Sequence, residues 1–170
     1  MRTVVWFSCG AASAVAAMLT LRQTPDALLV YCDPGSEDAD SVRFRADVER
    51  WLGVTVTVLR STAFKDTWDV WLRRKYLAGI DGAPCTRELK VKPRLAFQRP
   101  DDTHVFGYTA DKSDKTRAAN FRLQFTDMDI ETPLIEAGLD KAACLGVIEQ
   151  AGIALPRLYA ASTTTTACRA

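Results

Sequence analysis

The chain has 170 residues, 48% hydrophobic and 25% charged, with a formal net charge of +1. These values describe one ordinary globular domain. They exclude a broad basic face for duplex nucleic acid and leave room only for a local basic groove.

Residues 3–7 are a short apolar, β-rich run that predicts a strand buried on both faces. Residues 13–21 are Ala-rich and predict a helix, stopped near Pro25. Because Ser8-Cys9-Gly10 interrupts the apolar start, residues 1–20 read as strand plus helix and not as a signal peptide. A second buried strand is expected over 27–31, a turn-rich loop over 32–36, a helix over 40–52 closed by Gly53, and a third strand over 54–59. A helix over 67–77 carries Trp68, Trp71 and Leu72 at core-like spacing. With Tyr76, these tryptophans suit either core packing or a base-stacking surface. After a loop over 79–84, residues 87–97 read as a helix interrupted by Pro93. A strand over 103–108, a charged helix over 111–125, a short strand over 130–134 and a helix over 140–151 complete the pattern.

Alternating strands and helices imply an α/β, Rossmann-like open sheet, mostly parallel, with right-handed crossovers and helices on both faces. No apolar run reaches the roughly 18 residues of a membrane span, so no membrane partner is expected. The five cysteines, Cys9, Cys32, Cys85, Cys144 and Cys168, are widely spaced, and His104 is the single histidine. That set predicts neither a zinc site nor a disulfide framework, and it suits a reducing cytoplasm.

The junction Ser8-Cys9-Gly10-Ala11-Ala12-Ser13 puts small residues between the first strand and its helix. Small residues let the backbone approach an anion, and free N–H groups at a helix start point towards it. The same residues also permit close packing of helix on sheet. Asp33 suits either a ribose hydroxyl or a turn before Pro34 and Gly35. Gly107 and Tyr108 end a strand, with Gly107 allowing backbone approach to a nucleobase, and Lys115 and Arg117 follow within the next helix. These cations suit either a phosphate or sulfate group or a solvated helix face. His104 reads as structural. Cys85, beside Arg87 and Lys90, is the sharpest reactive constellation: cations near a thiol favour the nucleophilic thiolate. A small buried thiol at a helix start is the other reading of Cys85.

The loop resembles the S-G-G-x-D-S loop of the PP-loop superfamily, in its phosphoadenosine phosphosulfate (PAPS) reductase-like branch, with Ser8, Gly10 and Ser13 in register. The likeness continues through Tyr31-Cys32-Asp33-Pro34-Gly35, Cys85-Thr86-Arg87-Glu88-Leu89-Lys90 and Gly107-Tyr108-Thr109-Ala110-Asp111 to Leu155-Pro156. Cys9 stands where that family commonly has Gly. Ala12 stands where members that split ATP often have an Asp that helps hold magnesium. The resemblance implies a nucleotide-binding domain over 1–159, with ATP or PAPS as ligand, Mg2+ as a cofactor of the ATP reading and no iron–sulfur cluster in this chain. It implies binding through Ser8, Cys9, Gly10, Ala11, Ala12, Ser13, Tyr31, Asp33, Gly107, Tyr108, Lys115 and Arg117, and chemistry at Cys85 and Lys90. The implied reaction is sulfur transfer or reduction, or cleavage at the α-phosphate of ATP. The alternative is a nucleotide-sensing or DNA-modification accessory module without turnover. Nucleic acid and a second copy of the chain both stay open as partners.

The likeness ends after Tyr159, and residues 160–170 read as an irregular tail. Codons for Ala-Ser-Thr-Thr-Thr-Thr-Ala, read one nucleotide earlier, can encode Phe-Asp-His-Asn-Asn-Cys, close to the ending this family shows. A shifted reading frame and a truncated family member are therefore expected, which sequencing the gene tests.

Overall fold

The structure is a computed structural model that describes residues 1–80 and 82–161. Among the described residues five parallel strands form one sheet: β1 (Arg2–Phe7), β2 (Leu28–Cys32), β3 (Val56–Leu59), β4 (Asp102–Phe106) and β5 (Asp129–Glu131), in the order β3-β2-β1-β4-β5. The fold is therefore α/β and Rossmann-like, as the alternating pattern predicts. The central strand β1 pairs with β2 through Val4↔Leu28 to Phe7↔Tyr31 and with β4 through Arg2↔Asp102 to Trp6↔Phe106. Its unbroken apolar run follows from burial on both faces.

Alternate side chains of the strands feed two cores. Val5, Phe7, Leu29, Tyr31 and Val105 pack against α1 (Ala11–Gln23), α2 (Ala39–Leu52) and α8 (Lys141–Gln150). Ala14, Ala16 and Ala17 are fully buried, so the Ala-rich run lets α1 lie close on the sheet. Val4, Trp6 and Val30 face the other way, towards Phe97 and Phe106. On this side Phe121 of α6 (Lys112–Gln124) meets Phe106 edge-on at 4.9 Å.

His104 is buried in β4, and its Nδ1 accepts the Trp6 Nε1–H at 3.1 Å. At the opposite end of the sheet from the β1 carboxyl terminus, Arg2 grips the buried Asp102 carboxylate with two hydrogen bonds, at 2.8 and 2.6 Å.

Several local expectations are corrected. The third helix, α3, covers only Thr67–Arg74 and ends at Lys75, whose φ of 52° is left-handed. It buries Val70 against Phe64 and Leu89. Trp68 and Leu72 are exposed, because the one residue that α3 buries is Val70 and the rest of the helix surface is not covered. The segment 84–97 is not broken at Pro93. It runs as α4 (Pro84–Thr86), a π turn (Arg87–Val91) and α5 (Lys92–Phe97). The wider π turn suits a proline that has no N–H to donate. β5 stops at Glu131, and α7 (Pro133–Glu136) begins at a proline in its first turn. The last described element is α9 (Arg157–Ala161). Cys168 and the repeat of threonines over 163–166 lie outside the described residues.

Candidate functional site

From β1 the chain steps outward through β2 and β3 on one side and returns to β4 and β5 on the other, all strands parallel, and ligands of open parallel sheets sit outside the strand ends at such a switch point. A cavity of about 450 Å3 lies there. Ser8, Gly10, Ala12 and Ser13 line its β1 side, Tyr31 its β2 side, and Gly107 and Tyr108 its β4 side. Lys90, Val91 and Arg94 from the π turn and α5 also line it, as do Arg117 and Phe121 from α6.

The loop before α1 is knitted by one hydroxyl. Ser13 Oγ donates to the Gly10 carbonyl at 2.9 Å and accepts from the Ser8 N–H at 3.1 Å and the Ser8 hydroxyl at 3.2 Å. Ser13 is buried, so its hydroxyl serves the loop. Ala11 N–H, in the first turn of α1, donates to the Tyr159 hydroxyl at 3.0 Å. Tyr159 thus stands at the helix start, where an anion would meet free N–H groups.

Cys9 has a φ of 54°, the left-handed region. That conformation costs a non-glycine residue about 1–2 kcal/mol, a physical reason for glycine at this place in the resembled loop. The Cys9 thiol points inward. Burial, with Glu37 adding to it, pushes its pKa up to about 12. Tyr31 is likewise pushed up, by burial and then by Glu37.

Gly107 is required by packing. A Cβ there would stand 2.8 Å from Ser13 Cα and 2.9 Å from Ser13 N, so β4 ends directly against the start of α1. Tyr108 joins a cluster of tilted rings with Phe106 and Phe121, and the Arg117 guanidinium lies 5.5 Å from its ring centroid. Arg117 also pairs with Asp114 at 2.9 Å. Lys115 is exposed and lines none of the cavities described here. Asp33 is held by Arg60 at 2.7 Å and accepts the Gly35 N–H at 2.8 Å, which is the turn geometry. It lines a smaller side cavity with Tyr31, Glu37 and Arg60.

Cys85 and Lys90 line a second cleft of about 470 Å3, which shares Ser8, Thr86, Lys90 and Tyr159 with the main cavity. The π turn explains their alignment, since its wide register suits a separation of five residues. Arg87 faces a different cavity, beside Arg74 and Lys92, so it is not part of the Cys85 constellation. Lys90 Nζ lies 3.5 Å from Glu37 Oε1.

Sequence reading missed Tyr159, Lys90's place in both cavities, and Arg94. Only the spacing Lys90 to Arg94, four residues on one helical face, hinted at the last. Among the described residues no group of three His, Cys, Asp or Glu side chains gathers to hold a metal. With a methyl group at Ala12, the donor set at the loop does not fit a resident magnesium ion.

No known protein family matches the chain, and no curated protein matches it. Among solved structures, the crystal structure of phosphoadenylyl-sulfate (PAPS) reductase from Candida auris, a phosphate complex, is similar to it. The TM-score is 0.68 at 10% identity, over 99% of this chain and 81% of that one. The chain has a PAPS reductase-like fold. At that identity the likeness extends to the fold alone. Among the described residues no helix is long and apolar enough to cross a membrane.

Proposed function

We propose that this chain binds an adenine nucleotide in the manner of PP-loop proteins of the PAPS reductase-like branch, and uses it in sulfur chemistry or in cleavage at the α-phosphate. The observation that carries this reading is the shared cavity: the Ser8–Ser13 loop, the β4 end at Gly107 and Tyr108, and the cations Lys90 and Arg117 all wall it. In this reading the anionic end of the nucleotide meets the start of α1 and Arg117, and the base lies against the Trp6, Phe106 and Tyr108 side. Lys90 offers a cation to a transferring oxyanion, and Cys85 offers a thiol in the adjoining cleft. Free thiols of this kind suit a reducing cytoplasm.

Calorimetry with ATP and with PAPS tests the binding. Gly10→Val should abolish it with the circular dichroism spectrum unchanged, because a Cβ at Gly10 already comes within 3.2 Å of the Tyr159 hydroxyl. Parent-like affinity of that variant would reject the loop as the site. Ala12, in place of a metal-assisting acid, favours a second reading, a nucleotide-sensing or DNA-modification accessory module. Single-turnover assays separate the two: binding without product selects the sensor.

A further inference from the structure

Arg94 is 8% exposed and lines the main cavity. Its Nε has no hydrogen-bond partner, and among the described residues its side chain makes no ion pair. The contrast with Arg2 is direct, since Arg2 is matched by the buried Asp102 carboxylate. Arg94 is instead surrounded by ring faces, with Cζ 5.9, 5.4 and 5.3 Å from the centroids of Phe106, Phe121 and Phe125. Rings attract the cation but offer no lone pair for its N–H groups. The two groups whose ionisation would favour its charge, Cys32 and Tyr108, are both held protonated by burial. An unmatched buried guanidinium is costly and persists where something outside the chain completes it.

We infer that Arg94 is an oxyanion-binding residue, forming a subsite on the α5 side of the cavity separate from the Ser8–Ser13 loop, for a phosphate, sulfate or carboxylate group. A guanidinium is suited to this, since its planar fork matches two oxygens of such a group at once. The subsite holds whether or not the ligand is a nucleotide. The oxyanion has two sources, a free inorganic ion or a group carried by the nucleotide, and the test separates them.

The full chain is titrated with sodium sulfate and with sodium phosphate against sodium chloride at constant ionic strength, read by thermal midpoint and calorimetry. The parent should show a saturable rise in midpoint with sulfate or phosphate. Arg94→Met should lose that response, and in chloride alone it should be at least as stable as the parent, because an uncompensated charge has been replaced by an apolar chain of similar length. Arg94→Lys should retain a weaker response. Sulfate and phosphate are titrated with no nucleotide present, so failure of the nucleotide reading leaves this result intact. With ATP as probe, a loss of about tenfold or more in Arg94→Met assigns the oxyanion to the nucleotide. Unchanged ATP affinity with a lost sulfate response assigns it to a free ion. An Arg94→Met protein that is less stable in chloride, or that responds to anions as the parent does, would overturn the inference.

Discussion

The Tyr159 hydroxyl accepts the Ala11 N–H at 3.0 Å across a sequence separation of 148 residues, closing the end of α1 that faces the cavity. Tyr159 lines the main cavity, the Cys85 cleft and a third cavity beside Asp111 and Lys141. A ligand oxygen at Ala11 must displace this hydroxyl. Tyr159→Phe should therefore raise nucleotide affinity by one neutral hydrogen bond, roughly 0.5–1.5 kcal/mol or about 2- to 12-fold. Calorimetry with ATP reads this directly, and unchanged affinity would mean that the ligand leaves the Ala11 N–H alone.

Gly107→Ala should destabilise the fold by about 1–3 kcal/mol, as overpacking does in a dense core. Its Cβ would meet backbone atoms of Ser13, which cannot rotate away. Urea unfolding measures the loss. A neutral substitution would show that α1 can retreat from β4.

Burial lowers the His104 pKa below its ordinary value, and Asp102, the largest opposing influence, raises it. Above the unfolded value near 6.5 both states are neutral at this residue. As pH falls below it, the unfolded chain takes up a proton that the folded one resists, so stability falls at up to about 1.4 kcal/mol per pH unit. Protonation of Nδ1 would also remove the acceptor for Trp6 Nε1. Trp6→Phe should cost about 1 kcal/mol at pH 8 and flatten the decline between pH 6.5 and 5. Equal pH slopes in parent and variant would separate the two residues energetically.

Arg2→Met should destabilise by about 3–5 kcal/mol, since it leaves the Asp102 carboxylate buried without its partner. ATP affinity should be unchanged, because the pair lies at the far end of β1 from the cavity. Chemical unfolding and calorimetry on the same preparation check both halves.

Iodoacetamide at pH 7 should label Cys85 before Cys9, Cys32 and Cys144. Burial pushes those three thiols up to about 12, 11 and 11, leaving roughly one thiolate in ten thousand or fewer. Cys85 is only half-buried and borders the cleft. Mass spectrometry of the separate peptides identifies the order, and labelling of Cys85 only after unfolding would mark it as a packing residue.

The sequence by itself determined the layer order and the loop's position. Alternating apolar runs and helical patterns carry the α/β class, because each element must bury one face against the next. Small residues after 3–7 mark where β1 turns into α1. Local patterns also carry the ends at Gly53 and Gly152, where left-handed φ values of 68° and 71° favour glycine. Tertiary structure decided what sequence spacing could not. It turned Trp68 and Leu72 outward, since no layer covers that side of α3. It separated Arg87 from Cys85 and aligned Lys90 with it, through a π turn that periodicity of 3.6 does not anticipate. It engaged Asp33 with Arg60 and brought Tyr159 onto Ala11 from the opposite end of the chain. It also buried Arg94 among rings contributed by β4 and α6. Whether an arginine is matched or alone depends on which elements surround it, and those neighbours are set by the packing of distant segments.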